Sequence, residues 1–388
     1  MGIYWFILIY IILGRVFAKQ HKKFYVVSCF MLLILVAGLR NYSVGIDLNK
    51  HYARNFISIA NTNWSDLNKF TYIGGYDIGF VVFCKFISYI SSDVQSLIMV
   101  TAIITFGLIG RYIYIYSDDP ALETFMFFSS MLYFMYLNIV AQALAIAMVT
   151  VGLEKLAKKQ YLRYILWVII ASTIHSSAIV CIMFIPLTML PVKKKYVFRY
   201  TILVIIAILG FDQISNYMVT NIFTNFSYYL TDSSYADGRG VVLSKFNLFQ
   251  IAFTVMCVII PYVYLYYEDK SKKIKSCQVK RWKLQSNLKL KKEVVEFTFF
   301  NNNFFMYITI TGLVCRVLIT KMVIMERVGY YFYFLGFSVL CKATENIADK
   351  KRKKIILIGV YMFMLIFFLL FGKKAGNQSY GVVPYKFL

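Results

Sequence analysis

The sequence has 388 residues, of which 60% are hydrophobic, 18% aromatic and only 15% charged, with a formal net charge of +24 and a mean hydropathy of +0.65. A soluble domain carries charge on about a quarter of its residues, so this chain has too little polar surface to coat itself in water and is expected to be an integral membrane protein. Its lysines and arginines fall in short clusters between apolar runs, as cytoplasmic loops do, which assigns the net charge to topology and anionic headgroups rather than to nucleic acid.

The apolar runs are roughly 15 to 22 residues long, the length that crosses a ~30 Å hydrocarbon core as a helix. Ile3 to Ala18 and Phe24 to Leu39 read as the first two spans, with Lys19, Lys22 and Lys23 in the turn between them. The positive-inside rule places that turn in the cytoplasm and the N-terminus outside. The lysines follow the first run and no A-x-A-like site comes after it, so it reads as a span and not as a cleavable signal. Residues 40–75 follow as a polar external loop closed by Gly74-Gly75. From Asp77 to Tyr89 the pattern is amphipathic and fits a span or an interfacial helix. Val94 to Tyr116 is a clear span, and Ser117-Asp118-Asp119-Pro120 is a turn.

Residues 121–153 form one apolar stretch, long for one span and short for two, so a tilted helix or a broken pair is expected. Residues 162–190 pose the same problem around His175-Ser176-Ser177, and the basic clusters on both sides favour two half-spans that return to the cytoplasm. Irregular backbone at membrane depth is tolerated only when buried in protein or lining a watery cavity, which makes both midpoints candidate cavity walls. Val197 to Met218 spans again, and residues 219–244 form a large external loop. Phe246 to Tyr267 returns inward to residues 268–296, a cytoplasmic loop with ten Lys or Arg against four acids. Phe299 to Thr320, Arg327 to Cys341 and Ile355 to Phe371 complete the spans, and GNQSYGVVPYKFL is placed outside. The expectation is an all-α, polytopic fold: one helical transmembrane domain over 1–388, with about 12 segments. Broken or half-spanning helices line a cavity on its external side.

The seven cysteines lie mostly inside apolar runs without a C-x-x-C, which suits reduced thiols better than disulfides. His21, His51 and His175 have no i, i+4 partner of their own kind, so neither a zinc site nor another metal is expected. No G-x-x-x-x-G-K-[ST] is present to drive ATP-dependent transport. Polar groups at membrane depth are costly and therefore functional candidates. Arg40, Asn41 and Asp47 follow the second span, as an interfacial anchor or a site. His175 is either hydrogen-bonded to a neighbouring helix or a general base. Gln142 with Asn138 is either interhelical glue or a site. Arg316, Glu326 and Arg327 are either an ion-pair cluster or a grip on phosphate, since guanidinium offers a planar fork to its oxygens. Asp237-Gly238-Arg239-Gly240 is a turn or a flexible binding tip.

The order of motifs is more specific than any one of them. GLR…VGID…Y (38–52), GYDIGFVVFCKFI (75–87), NIVAQALAIAM (138–148), KKQYLRYILWVIIASTIHSSAIVCIMFIPL (158–187), ERVGYYFYF (326–334) and VVPYKF (382–387) follow one another. This series resembles the EpsG family of Wzy-type polysaccharide polymerases over most of the chain. One departure stands out: the family usually has Arg-Gln before the Ala-rich stretch, whereas this chain has Ala141-Gln142, so any substrate contact made by that arginine is lost or taken over.

The resemblance implies a glycosyltransferase of the bacterial cytoplasmic membrane, serving O-antigen, capsule or exopolysaccharide synthesis. It would join undecaprenyl-diphosphate-linked repeat units on the outer face, with lipid-linked donor and acceptor, no cofactor, and a chain-length regulator and flippase as pathway partners. On that reading Arg40, Arg239, Arg327 and Gln142 hold diphosphate or glycan, and His175 or Asp47 takes the acceptor proton. The competing expectations are an O-antigen-ligase-like transferase, a lipid-linked oligosaccharide flippase or transporter, and a structural membrane subunit.

Overall fold

The computed structural model describes residues 1–72, 75–190, 194–221, 245–266, 302–319 and 324–388. Among them there are helices, turns and a single isolated bridge, but no β-strand. Arg239, Cys277 and the 268–296 loop lie outside the described residues, as does nearly all of the 219–244 loop.

The first two helices, α1 (Gly2–Ala18) and α2 (Lys22–Gly38), pack side by side. The loop after them folds into a π-turn (Leu48–Tyr52), α3 (Ala53–Ala60), a 3-10 turn (Trp64–Asp66) and α4 (Lys69–Tyr72). Next comes α5 (Ile78–Ser88), whose 11 residues reach about 16 Å at 1.5 Å each, half the width of a bilayer core. The ammonium of Lys85 in α5 is buried and donates to the carbonyls of Ala60 and Thr62, both at 2.8 Å, at and just past the C-terminus of α3. So α5 is fastened to the loop, and by length it falls short of a full crossing.

The long helix α6 (Val94–Tyr116) begins at an Asp93 cap, whose side chain accepts from the Gln95 N–H. It ends beside Lys22, which donates to the Ser117 carbonyl at 2.8 Å. Arg15 pairs with Asp119 at 2.8 Å, so the chain ends of α1 and α6 and the start of α2 share one end of the bundle. At the opposite end, Arg40 donates to the carbonyl of Leu137 at 2.9 Å.

The 121–153 stretch is a broken pair. Asp119 caps α7 (Pro120–Ser129), with Pro120 at its first turn. A left-handed Met131 (φ 68°) separates α7 from α8 (Leu132–Asn138). The chain reverses at Ile139 into α9 (Val140–Ala157), and Glu154 returns to pair with Arg111 of α6 at 3.1 Å.

The 162–190 stretch also folds back. Here α10 (Tyr161–Ile174) stops at an extended His175 (φ −153°, ψ 113°), followed by a 3-10 helix (Ser176–Met183) and α11 (Phe184–Met189). The Tyr164 hydroxyl donates to the Cys181 carbonyl at 2.7 Å, which joins the first turn of α10 to a residue after the break. The 14 residues of α10 cover about 21 Å, short of a full crossing.

The segment expected as one span over 197–218 is instead two helices that meet at Gly210, α12 (Lys194–Leu209) and α13 (Phe211–Asn221). The remaining helices are α14 (Lys245–Tyr266), α15 (Asn302–Leu318), α16 (Ile324–Asn346) and α17 (Lys350–Lys374). Among the described residues, four helices are long and apolar enough to cross a membrane: α6, α9, α14 and α17 with its extension. Of these α9 is the most enclosed, and its Gln142 is fully buried. By contrast α14 and α17 lie at the periphery, with Leu248, Ile259, Met362, Ile366 and Leu369 uncovered on their outer faces, as a lipid-facing surface requires.

The segment 380–388 lies along the loop that follows α2. The Asn41 N–H donates to the Lys386 carbonyl at 2.9 Å, Gly45 to Gly381 at 2.8 Å, and Leu388 to Leu39 at 3.1 Å. Tyr385 donates to the Val36 carbonyl at 2.7 Å, and Tyr4 to that of Val382 at 2.9 Å. Gly381 is left-handed (φ +62°), and a Cβ there would stand 2.6 Å from Ile46 Cγ1, so only glycine admits this approach.

Candidate functional site

The break at His175 exposes a helix end where the backbone cannot satisfy itself. Asp77, just ahead of α5, fills this gap: its carboxylate accepts from the Ser176 N–H at 2.7 Å. Burial pushes the Asp77 carboxyl above its ordinary range, and the Ser176 N–H opposes that shift. Within the same turn the Ser177 hydroxyl shares a 2.7 Å hydrogen bond with Nδ1 of His175 and a 3.1 Å one with the Tyr331 hydroxyl of α16. The Gln142 amide donates to the Arg327 carbonyl at 2.7 Å and reaches Ser177 at 3.5 Å. Four distant stretches thus converge: the start of α5, the first turn of α9, the break after α10 and the first two turns of α16.

Arg327 is exposed, and its charge acts on both His175 and Tyr52. Tyr52, in the π-turn after α2, is pushed up by burial, further by Tyr76 and Asp47, and down by Arg327. Asp47 therefore acts on the same group with the opposite sign. The Asp47 N–H donates to the Asn138 side chain at 2.8 Å, which locks the loop onto the α8–α9 turn. His175, Gln142, Arg327 and Asp47 thus gather around one region, although they span 280 positions of sequence between Asp47 and Arg327.

Arg40 is placed differently. Only 3% of it is exposed, and beyond its bond to Leu137 its Nε has no hydrogen-bond partner among the described residues. Burial pulls its guanidinium down to about 10, which leaves it charged at neutral pH. It borders a gap of about 10 Å³, no larger than a water needs, with Thr101, Thr105 and Tyr136, and braces the α8–α9 turn through its bond to Leu137. Arg239 is outside the described residues. Ser177, Asp77 and Tyr331 were not singled out from sequence, although each sits inside a quoted motif: IHSS, GYDIG and ERVGYY.

A family model, the EpsG family, matches residues 22–387, nearly the whole chain. The chain belongs to the EpsG family. No curated protein and no solved structure matches it. EpsG is a family of Wzy-like polymerases, and with its long apolar helices the member described here is a membrane protein. The EpsG motifs also have a spatial meaning. GYD, NIVAQ, IHSS and ERVGYY supply residues to the His175 region, VGID is bonded through Asp47 to the α8–α9 turn, and VVPYKF supplies the strap on the loop of Asp47. Among the described residues, no group of His, Cys, Asp and Glu is arranged to hold a metal ion. The described cysteines are all buried and free.

Proposed function

We propose that the chain polymerises oligosaccharide repeat units carried on a polyprenyl (undecaprenyl) diphosphate, at the outer face of the bacterial cytoplasmic membrane. The convergence of His175, Ser177, Gln142, Tyr331 and Arg327 at the break of a folded-back hairpin carries this reading. The basic 19–23 turn belongs to the end of the bundle opposite Arg40, and the positive-inside rule then directs the Arg40 end outward.

The acceptor hydroxyl attacks the anomeric carbon of the donor's first sugar. The bond from that carbon to the diphosphate oxygen breaks, and its electron pair leaves on the diphosphate. The acceptor proton goes to Nε2 of His175, which is free to accept when Nδ1 carries the ring proton and donates it to Ser177. Arg327 stabilises the negative charge that grows on the leaving diphosphate, a role a preformed guanidinium fills without reorganising. Gln142 fixes the turn that bears Arg327, Asp77 fixes the turn that bears His175, and Asp47 is tied by its N–H to Asn138, four residues before Gln142. Such a reaction consumes a lipid-linked donor directly and needs no nucleotide.

The test is purified protein in nanodiscs given the cognate lipid-linked repeat unit without nucleotide. A ladder of products, lost in His175→Ala, is the expected result. Transfer of one unit without growth would point to a ligase, and movement of the lipid across a vesicle without transfer to a flippase.

A further inference from the structure

Helix α3 and the π-turn ahead of it carry a row of cations on their outer face. The apolar residues Ala53, Phe56 and Ile59 of α3 are buried, and the helix packs on α5 and α6. Lys50 in the π-turn and Arg54, about one turn further on, are both exposed, as is His51. The ion pairs among the described residues use other cations. Between Arg40 and Ala60 the sequence holds a single acid, Asp47, and it pairs with neither Lys50 nor Arg54.

This arrangement is unfavourable twice over. Like charges one turn apart destabilise a helix. Lysine and arginine are also disfavoured in short loops on the outer side of a membrane. Exposed cations kept in such a loop without a partner of their own call for an anionic ligand.

The row stands at the edge of the His175 region. Asn55, next to Arg54, donates to the Tyr76 hydroxyl at 3.0 Å. Tyr76 precedes Asp77, whose carboxylate accepts from the Ser176 N–H. The ring of Tyr52 lies 5.7 Å from that of Tyr76, and the charge of Arg327 acts on it. Lys85 secures the other end of α3. The helix is therefore fixed, and its cations are presented beside the cluster and not within it. In the reaction proposed above Arg327 meets the leaving diphosphate, so a second group of cations outside the cluster serves the glycan and not the bond that breaks.

We propose that Lys50 and Arg54, with His51 as a further hydrogen-bonding group, bind a carboxylate or phosphate carried on a sugar of the repeat unit, so that the substrate is an acidic oligosaccharide. Arg54 offers such a group a planar fork, and Lys50 adds a point charge beside it. The inference rests on the polymerase reading and on the outward placement of this loop.

The experiment uses the full-length protein in nanodiscs and the lipid-linked repeat unit extracted from its native membrane. Chemical analysis of that unit comes first: sugars without a carboxylate or phosphate overturn the proposal and leave the polymerase reading intact. With an acidic unit, rates are compared for wild type, Lys50→Gln with Arg54→Gln, and Lys50→Arg with Arg54→Lys, each checked by thermal unfolding. The glutamine pair is expected to raise KM about three- to twentyfold, the range for two exposed charge contacts, with kcat near wild type. The pair that keeps both charges is expected to recover most of that loss. Added salt is expected to raise the wild-type KM more than that of the glutamine pair.

The same unit synthesised with a hydroxyl in place of the acidic group separates the sources of negative charge. Equal KM for wild type and the glutamine pair on this neutral unit supports the proposal. An equal rise on both units would assign the cations to the lipid diphosphate. A rise in phosphatidylglycerol nanodiscs that is absent in phosphatidylcholine would assign them to headgroups. Either result, or a KM unchanged in every variant, overturns the proposal. Equilibrium binding of the acidic unit that weakens in the glutamine pair, in a protein that never transfers sugar, would support the acidic-sugar site and overturn the polymerase reading.

Discussion

The side-chain amide of Gln142 donates to the backbone carbonyl of Arg327 at 2.7 Å, across 185 positions of sequence. This bond fixes the first turn of α16 against the first turn of α9, and so sets where the only exposed cation beside His175 stands among the residues of that cluster. Gln142 is fully buried, and its Oε1 has no hydrogen-bond partner among the described residues. Replacing it with leucine removes the donor and is expected to cost about 1–3 kcal/mol of stability. The measurement is thermal unfolding in detergent. An unchanged midpoint together with full polymer yield would show that the bond is dispensable.

His175→Ala is expected to lower turnover by about 10²- to 10⁴-fold, the usual share of a general base, with membrane abundance unchanged. Ser177→Ala keeps the imidazole but removes the hydroxyl that holds Nδ1 at 2.7 Å, so a smaller loss in kcat is expected. Initial rates on a defined lipid-linked repeat unit check both. Equal rates in all three proteins would remove His175 from the chemistry.

Arg327→Ala removes the exposed guanidinium and is expected to reduce kcat more than donor binding, because its charge is opposed mainly in the transition state. Arg327→Lys is expected to recover only part, since an ammonium lacks the planar fork. Neither variant disturbs the Gln142 bond, which uses the Arg327 backbone. A kcat unchanged by both substitutions would refute the role.

The strap formed by 380–388 is expected to be essential to the loop that carries Asp47. Gly381→Val would press a side chain onto Ile46 from a left-handed backbone, a strain of order 1–3 kcal/mol before any clash is counted. Reduced thermal stability and faster proteolysis between residues 39 and 47 are the expected results. Wild-type resistance would mean that the loop holds itself in place.

Lys85→Met keeps most of the side-chain volume of α5 but removes the ammonium that binds the carbonyls of Ala60 and Thr62. Those carbonyls lie at the C-terminal end of α3, where a cation contributes up to about 2 kcal/mol in partly buried settings. A loss of stability of that order is expected, and no loss would assign the fastening of α5 to packing alone.

Hydropathy and charge along the chain determined the class of fold by themselves. A polypeptide with 60% hydrophobic residues must satisfy its backbone internally wherever lipid surrounds it, and helices do this within each segment. The succession of motifs likewise identified the family, because their order persists where each motif alone is degenerate. The two ambiguous stretches were recognisable as such, since their lengths match no whole number of crossings.

Tertiary packing decided the rest. That 121–153 reverses at Ile139 while 162–190 breaks at His175 depends on which distant groups meet the free backbone: Arg40 for Leu137, and Asp77 for Ser176. Propensity within a window carries no information about such partners. The same limit hid Ser177, Asp77 and Tyr331, ordinary residues until folding brings them to His175, and it hid the difference between Arg40 and Arg327. Both are arginines at segment edges in the sequence. Only packing buries one beneath a turn and leaves the other open, because burial is fixed by what lies across from a side chain, not by its neighbours along the chain.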